Sequence, residues 1–271
     1  MRTSLRRLAP IAFALVILGS TVPASLAADT ASTSAAAISA AERDALTLSN
    51  KRRAAAGLQP LRVDSRIAAL ARDRAEYMAR TGSFSHTQSG GTSVFDLIEA
   101  RQIAWYGAGE IIAWNTAASL DYSASFAVQG WMGSPSHKSI LMSTGYNYVG
   151  FGLAIASDGK RYWAGVYLKG PDRTGAYARF KSAASRAVSS TKTKVYFAWG
   201  GSDIRLQVLT SGLRYFETAR RIDGGAWVSY GTTTSTSVIR YWYKGHTWDF
   251  RVRARDKAGN WGPWQYRTVK I

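Results

Sequence analysis

Two hydrophobic periodicities divide the chain. From Ile38 onward, apolar positions recur at helical spacing: Ala41, Ala45, Leu48 and Arg52 share one face, and Gly57 suits the residue just past the helix end. A second helix, capped by Asp64 or Ser65, turns Ile67, Leu70, Ala71, Tyr77 and Met78 inward and stops at Gly82. A short helix capped by Thr92 or Ser93 carries Val94, Phe95, Leu97 and Ile98, and a further one near 120–131 carries Phe126, Val128 and Trp131. The period then shortens to that of strands over 148–156 and 161–168, around the hairpin loop Ser157-Asp158-Gly159-Lys160. Helices on both faces of a small antiparallel sheet make an α-β-α sandwich.

Beyond residue 170 the pattern changes again. Residues 171–191 lose apolar periodicity and gain Ser, Ala and Arg, the composition of a linker. Short alternating runs come next at 195–199, 204–209, 215–222, 227–230, 237–241, 247–255 and 265–269, separated by turn chemistry such as Asp223-Gly224-Gly225. That is the signature of an all-β sandwich over 192–271. The fold class expected is therefore α+β, with an α-β-α unit over 38–170 followed by a β-sandwich.

The N-terminus has the form of an export signal. Arg2, Arg6 and Arg7 precede an apolar run, 8–19, too short to span a bilayer, and Ser25-Leu26-Ala27 is a small-x-small cleavage site. Residues 1–27 are thus expected to be a signal peptide and 28–37 a flexible leader. The mature chain is expected outside the cytoplasm, secreted or at the cell surface, with no transmembrane segment. The chain has no cysteine, which removes disulfides and thiol chemistry, so its stability rests on buried cores. Its formal charge of +18 is concentrated late: 192–271 holds 14 Lys and Arg against 5 Asp and Glu. A polyanionic envelope polymer or lipid fits that balance better than nucleic acid, for which no stacking-plus-basic motif is present.

The candidate chemistry centres on Gly130 to Leu153. Ser134 suits an N-cap, Pro135 the first helical position, and His137 the third. A ring facing the positive helix end is disfavoured as imidazolium, leaving a neutral imidazole able to accept a hydrogen bond. Two glycines in Tyr148-Val149-Gly150-Phe151-Gly152-Leu153 allow close approach to that strand.

Five stretches in order closely resemble the bacterial branch of the CAP (SCP) superfamily: Asn50-Lys51-Arg52-Arg53-Ala54-Ala55-Ala56-Gly57-Leu58-Gln59-Pro60-Leu61, Phe84-Ser85-His86-Thr87, Gly109-Glu110, Trp131 to Leu141, and Val149-Gly150-Phe151-Gly152. The resemblance spans about residues 42–170. It implies an α-β-α sandwich, secretion, and a cleft lined by His86 and Glu110, with His137 standing in for the family's later histidine. Ile111 replaces the family's asparagine, and Ser134 stands where eukaryotic members carry a second glutamate. The last segment, from Gly245 to Trp261, resembles the closing strands of a fibronectin type III-like sandwich, a module of adhesion or spacing.

His86, Glu110 and His137 could hold Zn²⁺ with an open fourth position, or use the carboxylate to polarise water. The plainer alternative is that Glu110 hydrogen-bonds the histidines and stiffens the cleft. No cofactor is required on that reading; a divalent metal such as zinc is the one candidate. No nucleophile elbow is present. Two function classes lead, with an adhesin whose cleft is vestigial as a third reading. One is a non-enzymatic binder of a small apolar or lipid-like ligand through His86, Glu110, His137 and Ser134, held at the surface by the basic sandwich. The other is a hydrolase acting on peptide or cell-wall material through the same cleft. Arg251, Arg253 and Arg255 alternate on one strand, as either a solvated face or an anion site.

Overall fold

In a computed structural model, residues 24–271 are described; the expected signal peptide, 1–27, lies outside them except for its end. Helix α1 spans Ala24–Ala55, so the expected leader 28–37 is helical and continuous with the first core helix. The buried face of α1 runs through Ala41, Glu42, Ala45, Ser49 and Arg53. Ala41 and Ala45 lie on it as expected, but Arg52 is exposed and Arg53 takes the buried position one residue on.

Helix α2, Ser65–Thr81, begins where the Asp64 side chain accepts from the Arg66 N–H and ends at Gly82 in the left-handed region, φ 71°. Helix α3, Val94–Ala100, opens with a capping box between Ser93 and Asp96. Helix α4 covers Leu120–Gly133 and α5 Pro135–Leu141. Of the apolar residues noted on α4, Val128 and Trp131 are buried and Phe126 is exposed.

Strand β1 (Arg62–Val63) runs parallel to β3 (Tyr148–Ile155), while β2 (Gly107–Asn115) and β3 flank β4 (Arg161–Lys169) antiparallel, giving the order β1-β3-β4-β2. The parallel β1 makes the sheet mixed rather than purely antiparallel. One face buries Ile67, Leu70, Ala71 and Met78 of α2 against Ile112, Ala164 and Val166. The other buries α1 and α4 residues, including Ala41, Val128 and Trp131, against Ile111, Phe151 and Trp163. The result is a three-layer α-β-α sandwich. Helix α2 lies directly on β3: a Cβ on Gly150 would come 2.3 Å from the Ala68 nitrogen, and one on Gly152 2.2 Å from the Ala71 carbonyl carbon.

The expected linker 171–191 is mostly a strand, β5 (Tyr177–Ala187). It pairs with β6 (Lys192–Ser202), which pairs with β9 (Ser237–Tyr243). The second sheet has the order β11-β10-β7-β8, from β7 (Leu213–Ile222), β8 (Val228–Thr233), β10 (Thr247–Asp256) and β11 (Gln265–Lys270). The two sheets share a core of Val195, Phe197, Trp199, Phe216, Trp242, Phe250 and Val252, with Phe197 stacked on Phe250 at 4.4 Å. The C-terminal region is thus two antiparallel sheets closed on one another.

Residues 204–209, expected as a strand, form none. Their side chains are engaged by the first unit instead: Leu206 is buried in its core, and Gln207 Oε1 accepts from the Gln59 N–H at 2.8 Å and from Arg53 at 3.3 Å. This loop straps the β region onto the first unit. Fully buried Arg53 completes the joint by donating to the carbonyls of Gln59, Leu141 and Ser143.

Candidate functional site

The apolar stripe of α2 runs Ile67, Leu70, Ala71, Met78, and the position that completes it is Arg74, fully buried. Arg74 Nε donates to Glu110 Oε1 at 2.7 Å and Nη2 donates to Oε2 at 3.3 Å and to the Ser85 carbonyl at 2.7 Å. Glu110 is placed by β2, the sheet edge. Strand alternation sends its side chain to the α2 face while Ile111 enters the opposite core. The glutamate side chain is 3% exposed, and its pairing with a guanidinium offsets the desolvation of its charge.

The Ser85 contact fixes the loop after α2, and that loop presents His86. Its Nδ1 lies 2.9 Å from Glu110 Oε2. A carboxylate only accepts, so the Nδ1–H donates and Nε2 is left outside this bond. The ring is half exposed, with 54% of the side chain accessible.

His137 comes from the other side of the β2 edge. Helix α5 has Ser134 at the N-cap and Pro135 at its start, which sets His137 in the first turn with its ring centroid 6.2 Å from that of His86. Burial, and secondarily the neighbouring His86, hold the His137 pKa below the ordinary histidine value. The direction matches the expectation from the helix terminus, but the causes are these two. Ser134 Oγ does not cap a backbone N–H; it lies 3.2 Å from Ser136 Oγ. Gly109 lets α5 and the turn after it close on β2, since a Cβ there would meet Tyr146 Oη at 2.9 Å and Ile140 at 3.3 Å.

The structure therefore brings His86, Glu110 and His137 to one shelf, with Ser134 beside His137 in sequence at the head of α5. Arg74 is the member that sequence reading missed. Its signal was a charged residue on the apolar stripe of α2, three and four positions from Ala71 and Met78. The shelf's donor set does not fit a divalent cation. Both Glu110 oxygens are engaged, and a permanent positive charge sits against the carboxylate.

The three alternating arginines of β10 are not a free anion patch. Arg251 lies between the rings of Trp227 and Trp264, each 4.1 Å from its guanidinium carbon. Arg253 lies over Trp261 and Trp264 and pairs with Glu217 at 2.6 Å, and Arg255 donates to the Gly259 carbonyl and to Tyr215 Oη. They form a stacked Trp–Arg ladder.

Residues 46–167, which make up most of this layered sandwich, match the cysteine-rich secretory protein (CAP) family model. Among curated proteins, the chain is 28% identical over 124 residues to the uncharacterized protein YkwD of Bacillus subtilis, covering 46% of each. It is 29% identical over 128 residues to the uncharacterized membrane protein YlbC of the same organism, covering 47% of this chain and 34% of that one. The chain thus matches under half the length of these curated relatives. Among solved structures, an extracellular SCP-domain protein from Bacillus anthracis shares 21% identity at a TM-score of 0.43, over 48% of this chain and 41% of that one. An outer surface protein from Borrelia burgdorferi shares 21% identity at 0.42, over 46% of this chain and 89% of that one. Among the described residues, no helix is long and apolar enough to cross a membrane.

Proposed function

We propose that the chain is an exported, cell-envelope-associated binding protein. On this reading its CAP domain takes a small apolar or lipid-like ligand at the His86–Glu110–His137 shelf, and its C-terminal fibronectin type III-like region holds it to anionic envelope polymers. The observation that carries the binding half is the clamping of Glu110. A carboxylate locked by a buried Arg74 and by His86 is poorly suited to act as a general base, because both oxygens are already occupied by hydrogen bonds. It orients His86 instead, leaving Nε2 and the His137 ring as hydrogen-bonding groups, and Phe84, two residues before His86, is exposed. The hydrolase reading would need a reactive group that this clamp does not supply.

The attachment half is supported by the outer face of the β5-β6-β9 sheet. Lys192, Lys194 and Tyr196 of β6 stand opposite Tyr243, Tyr241 and Ile239 of β9, and Arg186 of β5 joins Lys194. Tyr196, Ile239, Tyr241 and Tyr243 are exposed. A face of tyrosines interleaved with lysines suits an anionic polymer with apolar or sugar surfaces.

The test is co-sedimentation of the full chain with phosphatidylglycerol vesicles and with isolated anionic cell walls. Binding is expected to fall as salt rises, since screening shortens to about 3 Å at 1 M. It should also weaken in Lys192→Glu/Lys194→Glu. Salt-independent binding that survives this double substitution would contradict the attachment reading.

A further inference from the structure

Three aspartates converge where the connector meets the β region. Asp172 lies in the connector after β4, Asp203 just past β6, and Asp256 at the end of β10. One carboxylate oxygen from each lies within 4.8 Å of the others. All three are buried, with residue exposures of 8%, 7% and 0%. Among the described residues, no lysine or arginine side chain makes an ion pair with any of them. In a chain of net charge +18, three buried acids have been left facing one another without a counter-ion.

The hydrogen bonds around the cluster account for every carboxylate oxygen but one. Asp172 accepts from the N–H groups of Thr174 and Ser211; Asp256 accepts from the N–H and the Nδ2 of Asn260. Asp203 Oδ2 accepts from the Gly212 N–H and Ser211 Oγ. Asp203 Oδ1 is buried with no partner at all. An orphaned carboxylate oxygen costs its full desolvation, so its position among two further carboxylates points to a missing positive charge.

We propose that this cluster is a calcium site that fastens the connector to the C-terminal region. The donors are all hard oxygens, with no histidine or cysteine, which selects calcium or magnesium over zinc or copper. Calcium–oxygen distances place donors on opposite sides of one ion about 4.6–5.2 Å apart, so the three carboxylates can share a single ion. They come from three separate segments, two loops and the end of β10, rather than one rigid octahedral frame, which favours calcium over magnesium. The consequence is structural. The loop that carries Asp203 also carries Leu206 and Gln207 into the first unit, and Asn260 Nδ2 reaches the Asp172 carbonyl at 3.0 Å. A bound ion locks all three segments together and sets the orientation of the β region on the CAP domain.

Calorimetric titration of the EDTA-treated full chain with CaCl₂ tests this, with the thermal unfolding midpoint followed in parallel. One Ca²⁺ per chain is expected, at the affinity of about 0.1–1 mM seen in extracellular modules. The midpoint should rise with calcium. Asp203→Asn should lose at least about tenfold in affinity, each tenfold being about 1.4 kcal/mol. Asp158→Asn, on the exposed β3–β4 hairpin, should respond like the parent. Terbium luminescence in the unaltered chain, sensitised by Trp261 beside Asn260 and reversed by calcium, gives a readout that needs no variant. Absence of heat, midpoint shift and calcium-reversible terbium signal at about tenfold above that range overturns the site. So does a full calcium response in a folded Asp203→Asn, or a response to magnesium with none to calcium.

Discussion

Replacing Arg74 with methionine tests the frame of the shelf. The substitution keeps most of the side-chain volume in the α2 stripe but removes the guanidinium from a glutamate whose side chain is 3% exposed. Removing one partner of a buried pair typically costs about 3–5 kcal/mol, because the other charge is left desolvated. The Ser85 carbonyl loses its donor as well, freeing the loop that carries His86. His86 remains 2.9 Å from Glu110 but is half exposed and offers weaker compensation. Urea unfolding at neutral pH, followed by tryptophan fluorescence, should show the midpoint fall with little change in slope. The double variant Arg74→Met/Glu110→Leu, which removes both charges, should recover most of the loss. If Arg74→Met alone costs less than about 1 kcal/mol, the pair behaves as a surface ion pair and Glu110 is not clamped.

Two further outcomes rest on the same geometry. Gly152→Ala should destabilise the first unit by about 3 kcal/mol or more in denaturant melts, since the new Cβ would sit 2.2 Å from backbone of α2 that no side-chain rotation can move; an unchanged midpoint would refute the close approach. The His137 pKa is depressed in the folded chain, so the folded state resists protonation that the unfolded chain accepts. Stability is therefore unaffected by this group above the ordinary value of about 6.5 and declines as pH falls below it, until the folded pKa is passed. His137→Gln should flatten that part of the pH–stability curve, and an identical slope in parent and variant between about pH 6.5 and 5 would refute the assignment.

The elements with strong local chemistry were readable in advance. The helix starts, narrowed to Asp64 or Ser65 and to Thr92 or Ser93, resolve to Asp64 and Ser93, and the Gly82 stop and the Asp158-Gly159 hairpin stand where their residues place them. What escaped was decided by distant partners. Strand β5 buries only Ala178 and Phe180, so its serines, alanines and arginines read as a linker, although it pairs along its whole length with β6. The run 204–209 alternates like a strand, but its leucine is taken by the core of the other unit. Arg53 and Arg74 interrupt helical stripes as charges; only the carbonyls of residues far along the chain, and Glu110, make their burial tolerable. His86, Glu110 and His137 were visible as residue types, whereas the arginine that fixes their roles was not, because its partner Glu110 lies 36 residues further along the chain.

The central claim is that the shelf binds without reacting. The direct measurement is the imidazole NMR spectrum of His86 and His137 during titration with short-chain phosphatidylglycerol micelles and, separately, soluble cell-wall peptide fragments, with the mixtures assayed for cleavage products. The account predicts saturable shifts of both histidines with the lipid, lost in His86→Ala, and no product from either substrate. Turnover of a wall fragment that disappears in folded Glu110→Gln, with the histidine resonances unmoved by lipid, would contradict it.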